Sequence, residues 1–175
     1  MKFTVRENTI HIGYDDGTTE ELPCAVGKNG VTPEADKREG DWKTPTGEYE
    51  LLDLYYRKDK VGGIESGLPT KVITKECRWS DDVDHQYNEY VKWPFDASHE
   101  ELWRDDDVYD LMITTSHNTF PPVAPMGSAI FFHVARYEED GSMRPTAGCV
   151  AIDKADMLRI APKITKGSTL KILDI

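Results

Sequence analysis

The chain has 175 residues, 38% apolar and 30% charged, and its 32 acidic side chains outnumber 21 Lys and Arg to leave a net charge of −11. That composition describes a folded globular chain rather than a disordered one, long enough to bury a core without disulfide or metal staples. The acidity argues against nucleic acid or a polybasic grip on anionic lipid, since both demand a basic stripe.

The opening MKFTVRENTIHIGY has no apolar core behind a basic start, so it does not read as a signal peptide. No window approaches the run of about 18 apolar residues that a membrane span needs. The expectation is one domain over residues 1–175, cytoplasmic as written, with the periplasm or cell envelope as the alternative if a leader was trimmed. Cys24, Cys77 and Cys149 are odd in number and widely spaced, which suits neither a disulfide framework nor a zinc site. No metal or cofactor is expected, and Cys24 and Cys77 read as buried structural thiols.

In chain order, residues 2–14 predict a hairpin, Asp15-Asp16-Gly17 a turn, and Glu20–Val26 a returning strand. His11 alternates with Ile10 and Ile12 and is expected to face solvent. Residues 27–47, rich in Gly, Pro and charge, predict a long loop. Glu48–Tyr56 reads as a strand, 59–67 as a polar loop and Lys71–Ile73 as a short strand. The aromatics of 76–108, Trp79, Tyr87, Tyr90, Trp93 and Trp103, are expected mainly to pack a core. Ser98 with Glu101 has the form of a capping box, which predicts a short helix over His99–Arg104. Tyr109–Thr115 and Ser128–Val134 read as strands, the second buried on both faces. Cys149–Ile152 is a short apolar strand, Asp153 the N-cap of a helix through Ala161, and Thr169–Ile175 a last strand.

The chemistry concentrates between Gly127 and Asp153. A thiol becomes a good nucleophile once a base removes its proton, and imidazole is the usual base. His133 ends one apolar strand and Cys149 enters another sixteen residues later, so pairing of those strands would bring imidazole and sulfur within hydrogen-bond reach. Ala147-Gly148 leaves the backbone before the sulfur uncrowded, and the Gly148 and Cys149 amides are candidate oxyanion donors. Arg136 and Arg144 bring two cations close to the thiol and are candidates for a substrate carboxylate.

Thr146-Ala147-Gly148-Cys149-Val150-Ala151, preceded by Phe132-His133-Val134-Ala135-Arg136, resembles the signature of the L,D-transpeptidase catalytic domain (YkuD-like) family, in the branch with a TAGC cysteine motif. Lys37–Asp41 with Lys43-Thr44-Pro45-Thr46-Gly47, Trp79, Tyr87-Asn88, Leu102-Trp103-Arg104, Tyr109-Asp110-Leu111, His117-Asn118 and Gly127–Ile130 extend the likeness over residues of about 25 to the C-terminus. The resemblance implies a β-rich, mostly antiparallel sandwich or barrel with a few short helices. It implies that Cys149 attacks the L-centre–D-Ala bond of a peptidoglycan stem tetrapeptide, releasing D-Ala and leaving a thioester. An amine acceptor makes the enzyme an L,D-transpeptidase, and water makes it an L,D-carboxypeptidase. By the same resemblance His133 is the base, oriented by a backbone carbonyl just after it, and Gly148 helps form the oxyanion hole. Most of the family has histidine and arginine where this chain has Ala147 and Ala151, so His117, Arg136, Arg144 and Thr146 are the expected substrate-binding residues. The alternatives are a non-catalytic module that binds muropeptides on the same fold, or a hydrolase of a different peptidoglycan-linked bond.

Overall fold

The computed structural model describes residues 1–174. Strands β1 (Lys2–Arg6), β2 (Thr9–Gly13) and β3 (Thr19–Pro23) form the antiparallel meander expected from their alternation, with Phe3, Val5, Ile10 and Ile12 turned inward. His11 sits on the outer face beside Glu21. The stretch expected as an unbroken loop holds a short strand, β4 (Val31–Pro33), and a 3-10 turn at Glu34–Asp36. β5 (Thr44–Tyr56) starts four residues earlier than its apolar pattern indicated. Helix α1 (Lys58–Val61) and β6 (Thr70–Val72) follow.

Next come β7 (Cys77–Ser80), β8 (Tyr90–Lys92) and β9 (His99–Glu101), which form a separate three-stranded sheet in the order β8-β7-β9. The helix expected over His99–Arg104 is therefore a strand at its start. The Glu101 carboxylate pairs with Arg78 across β7 at 3.2 Å instead of folding back on Ser98. Tertiary pairing with an already buried strand outweighs a local cap.

β10 (Leu111–Thr115), β11 (Phe131–Val134) and β12 (Val150–Ile152) are buried on both faces. Helix α2 (Lys154–Ile160) starts at Asp153 as expected, whose carboxylate accepts from the Ala155 N–H at 2.8 Å. β13 (Thr169–Ile172) is shorter than the strand expected to Ile175, and Ile175 itself lies outside the described residues. Among the described residues, no helix is long and apolar enough to cross a membrane.

The large sheet runs β12-β11-β10-β5-β13-β1-β2-β3, with β4 and β6 also paired to β5. Its two ends nearly meet. Beyond β3, Ala25 and Ala151 exchange backbone hydrogen bonds at 2.8 and 2.9 Å, and Gly27 bridges Thr146. Because side chains alternate along each strand, the same strands serve two cores. Leu111, Ile113, Phe132, Val134, Val150 and Ile152 join Phe3, Ile10, Leu51, Leu170 and the α2 residues Met157 and Ile160. Met112, Phe131 and Cys149 face the other way, against Trp79, Leu102 and Tyr109 from the small sheet and its following loop.

The seam has little room to spare. A Cβ on Gly27 would lie 2.5 Å from the Trp42 carbonyl oxygen and 2.9 Å from the Lys43 backbone. Gly27→Ala is therefore expected to lower stability by about 1–3 kcal/mol through overpacking against backbone, read as a lower denaturant midpoint at unchanged m-value.

Candidate active site

His133 and Cys149 stand on adjacent strands and face the same layer, between the large sheet and the small one. β11 and β12 run parallel, and their register sets His133 opposite Ala151, with Phe132 opposite Val150. Cys149 is the residue before β12, two positions ahead of Ala151 and on the same face. The direct thiol–imidazole hydrogen bond expected from strand pairing is not formed. Instead the thiol donates to the Ala129 carbonyl oxygen at 3.1 Å and accepts from the Phe131 N–H at 3.3 Å.

His133 is buried, and its Nδ1 lies 2.9 Å from the Val134 carbonyl oxygen, the backbone acceptor expected just after it. A carbonyl only accepts, so Nδ1 carries the proton and Nε2 holds the lone pair. The Tyr109 ring meets the imidazole edge-on at 5.5 Å. Burial, reinforced by the nearby Arg104 guanidinium, pushes the imidazole down to about 4, so it is neutral at pH 7.

Cys149 is the opposite case. Burial pushes its thiol up to about 12, the Glu100 carboxylate adds to the rise, and the Phe131 N–H and Lys37 oppose it. Forming the thiolate at pH 7 spans five pH units, or about 7 kcal/mol at roughly 1.4 kcal/mol each. The resting thiol is neutral.

Around the sulfur, the chain is shaped by Gly148 and Ala129. Gly148 has φ +152°, and a Cβ there would sit 2.9 Å from the Lys43 carbonyl oxygen and 3.0 Å from Ile130. Its N–H donates to Thr146 Oγ1 at 3.1 Å, so that proposed oxyanion donor is already engaged. The Cys149 N–H has no acceptor among the described residues. Thr146 also donates from Oγ1 to the Cys149 carbonyl at 2.7 Å. Its hydroxyl braces the loop before the cysteine.

The other three expected binding residues are not gathered at the thiol. His117 is buried, with Nδ1 3.3 Å from Glu34 and Nε2 3.2 Å from the Met126 carbonyl, and it packs on Tyr49. Arg144 is exposed and forks onto Glu138 at 2.8 and 3.1 Å. Arg136 is exposed, and its nearest charge is Asp106 at 3.6 Å.

Two residues that were not among the expected site residues, Asn88 and Tyr87, hold the chain beside the sulfur together. Asn88 Oδ1 accepts from Trp79 Nε1 and from the Ala129 N–H, both at 2.9 Å, while its Nδ2 donates to the His117 and Asn118 carbonyls. Tyr87 accepts from the Gly127 N–H at 2.8 Å and donates to Glu39 at 2.6 Å. Together they fix the 127–129 segment, where Ala129 adopts φ +52° and presents its carbonyl to the sulfur. A non-glycine residue held there costs about 1–3 kcal/mol, a strain typical of functional sites. Their roles escape sequence reasoning because hydrogen bonds across 29 to 48 residues leave no local pattern. Glu100 and Tyr109, joined by a 2.5 Å hydrogen bond, were likewise invisible as part of the site.

With this geometry in place, comparison with known proteins decides the family. The YkuD family, described as the L,D-transpeptidase catalytic domain, matches residues 5–172. The chain belongs to this family. Its mostly β architecture is the one the family implies, and peptidoglycan is what the family acts on. Among solved structures, the chain is similar to the helical cell shape determining protein Pgp2 from Campylobacter jejuni and to a single-substitution mutant of it. Each likeness has 17% identity and a TM-score of 0.48, over 99% of this chain and 46% of the other. The chain thus spans less than half the length of those proteins. No curated protein matches it.

The buried imidazole has a consequence for pH. Both His133 and His117 have folded values below the unfolded one near 6.5, so below that pH the unfolded chain binds more protons and stability falls as pH drops. Glu100, whose value burial raises, acts in the opposite sense and reduces the slope. Stability is expected to decline from pH 6.5 towards pH 4, by at most about 1.4 kcal/mol per pH unit for each histidine. Urea unfolding across that range checks it, with a shallower decline in His133→Gln.

Proposed function

We propose that the chain is a cysteine-dependent acyl-transfer enzyme of peptidoglycan stem peptides, with Cys149 as nucleophile and His133 as base. The observation that carries this reading is the state of His133. It is neutral, its Nδ1–H is tied to the Val134 carbonyl, and its Nε2 lone pair lies on the same face as the thiol of the adjacent strand.

In this scheme the thiol leaves the Ala129 carbonyl as substrate binds, and its proton passes to His133 Nε2. Sγ attacks the carbonyl carbon of the L-centre–D-Ala bond, and the Cys149 N–H is the donor for the developing oxyanion. The C–N bond then breaks, the departing D-Ala nitrogen takes the proton from His133, and a thioester remains on Cys149. An amine or water, deprotonated in turn by His133, attacks that thioester and restores the thiol. Amine gives a crosslink or attachment, and water gives a trimmed tripeptide. An imidazole supplied in this way typically contributes about 10²–10⁴ in rate.

A second reading, a muropeptide-binding module without turnover, has one observation in its favour. The thiol is pushed up to about 12 and bonded to Ala129 rather than His133.

Mass spectrometry of the protein mixed with a disaccharide-tetrapeptide, beside Cys149→Ala, separates the two readings. D-Ala release that is lost in the mutant is the expected result, with a tripeptide product for hydrolysis or linked dimers for transpeptidation. Peptide binding that is equal in both proteins, without release or a Cys149 adduct, would favour the binding module. On the enzyme reading, His133→Gln lowers kcat/KM by about 10²–10⁴.

A further inference from the structure

The small sheet brings to the Cys149 face a carboxyl group that the chemistry above does not use. On β9, Glu100 pairs with Trp79 of β7. The Trp79 ring meets Phe131 edge-on at 4.9 Å, and the Phe131 N–H is the one that donates to Cys149 Sγ. Glu100 as a residue is only partly buried, but its carboxyl turns inward and accepts from the hydroxyl of buried Tyr109 at 2.5 Å. Tyr109 in turn packs on Phe131 at 6.0 Å and on His133 at 5.5 Å. Thiol, imidazole, phenol and carboxyl therefore share one desolvated layer, where charges interact more strongly than in water.

The surrounding charges do not cancel that carboxylate. Arg104 faces it, but the guanidinium is already forked onto Asp106 at 2.8 and 2.7 Å. Asp81, following β7, and Glu39, from the loop before β5, add negative charge on the Glu100 side. On the Cys149 side the facing cation is Lys37, whose ammonium is held by Asp41 at 2.6 Å. A carboxylate in the same layer as the sulfur opposes loss of its proton.

We propose that Glu100 is a positioning residue of the Cys149 site: its carboxylate, anchored by Tyr109 in the layer that holds the sulfur, adds to burial in opposing ionisation of the cysteine while the site is empty. The inference rests on the reading of Cys149 as nucleophile only for its relevance to catalysis, since the effect on the thiol stands by itself. Its use would be protective, keeping a catalytic sulfur unreactive until a ligand alters the field around it.

The test is the rate of Cys149 alkylation by iodoacetamide as a function of pH, from about pH 5 to 9, with the site followed by peptide mass spectrometry so that Cys24 and Cys77 do not contribute. Thiolate alone reacts, so with no titrating neighbour the rate rises tenfold per pH unit. In the wild type the rise is expected to be shallower across the range in which Glu100 ionises. Glu100→Gln should restore the uniform tenfold rise and, above that range, react at least about threefold faster, corresponding to half a pH unit at the thiol. Glu100→Asp keeps the charge and should keep the shallow interval. Tyr109→Phe removes the donor that favours the ionised carboxyl and should move that interval to higher pH. A merely loosened fold multiplies the rate equally at every pH and leaves the interval in place. A uniform tenfold rise in the wild type, or a shallow interval that persists in Glu100→Gln, overturns the proposal. The assay contains no peptide, so its outcome is independent of whether the tetrapeptide is turned over.

Discussion

The closure of the large sheet on itself is the constraint from which the rest of this structure follows. Ala25 and Ala151 exchange backbone bonds across the seam, and the Gly27–Thr146 bridge beside them brings the chain before β4 against the loop that leads into the cysteine. Only glycine fits where these backbones crowd together, at Gly27 against Trp42 and Lys43 and at Gly148 against Lys43. That crowding sets the path of the chain into Cys149, because Gly148 at φ +152° turns it there. The sulfur's position is a result of how the sheet closes.

The second organising feature is desolvation. Covering β10–β12 with the small sheet takes His133 and Cys149 out of water together, and in each case the neutral form is favoured. The imidazole is neutral with a defined tautomer, and the neutral thiol in the same layer is bonded to Ala129 rather than to it. The register explains the remaining gap: parallel pairing sets Ala151 across from His133, and Ala151 is small. The Ala129 carbonyl accepts the thiol's hydrogen bond, at the cost of a strained φ that Asn88 and Tyr87 sustain through long-range hydrogen bonds.

Local chemistry made a good part of this legible. The early meander came from strict alternation, α2 from the Asp153 cap, and β10–β12 from continuous apolar runs that signal burial on both faces. The capping box at Ser98–Glu101 misled for a physical reason: a local pair of hydrogen bonds is worth about 1 kcal/mol, less than the ladder and side-chain burial that β7 offers the same residues. Thr146, His117, Arg136 and Arg144 were selected by nearness in sequence to the motif, and each found another partner, in the loop brace, in Glu34 and Met126, in Asp106 and in Glu138.

Residue types and their spacing were enough for a mostly β chain and the two strands at His133 and Cys149, and the motif around Cys149 carried the resemblance to the family, because periodicity and motif are properties of neighbouring residues. The strand register, the Ala129 acceptor, the Thr146 hold on Gly148, and the gathering of Glu100 and Tyr109 in the layer that holds the thiol were decided in three dimensions. Each depends on segments tens of residues apart meeting in a desolvated layer, and the energies that choose among such meetings belong to the packed whole rather than to any stretch of chain.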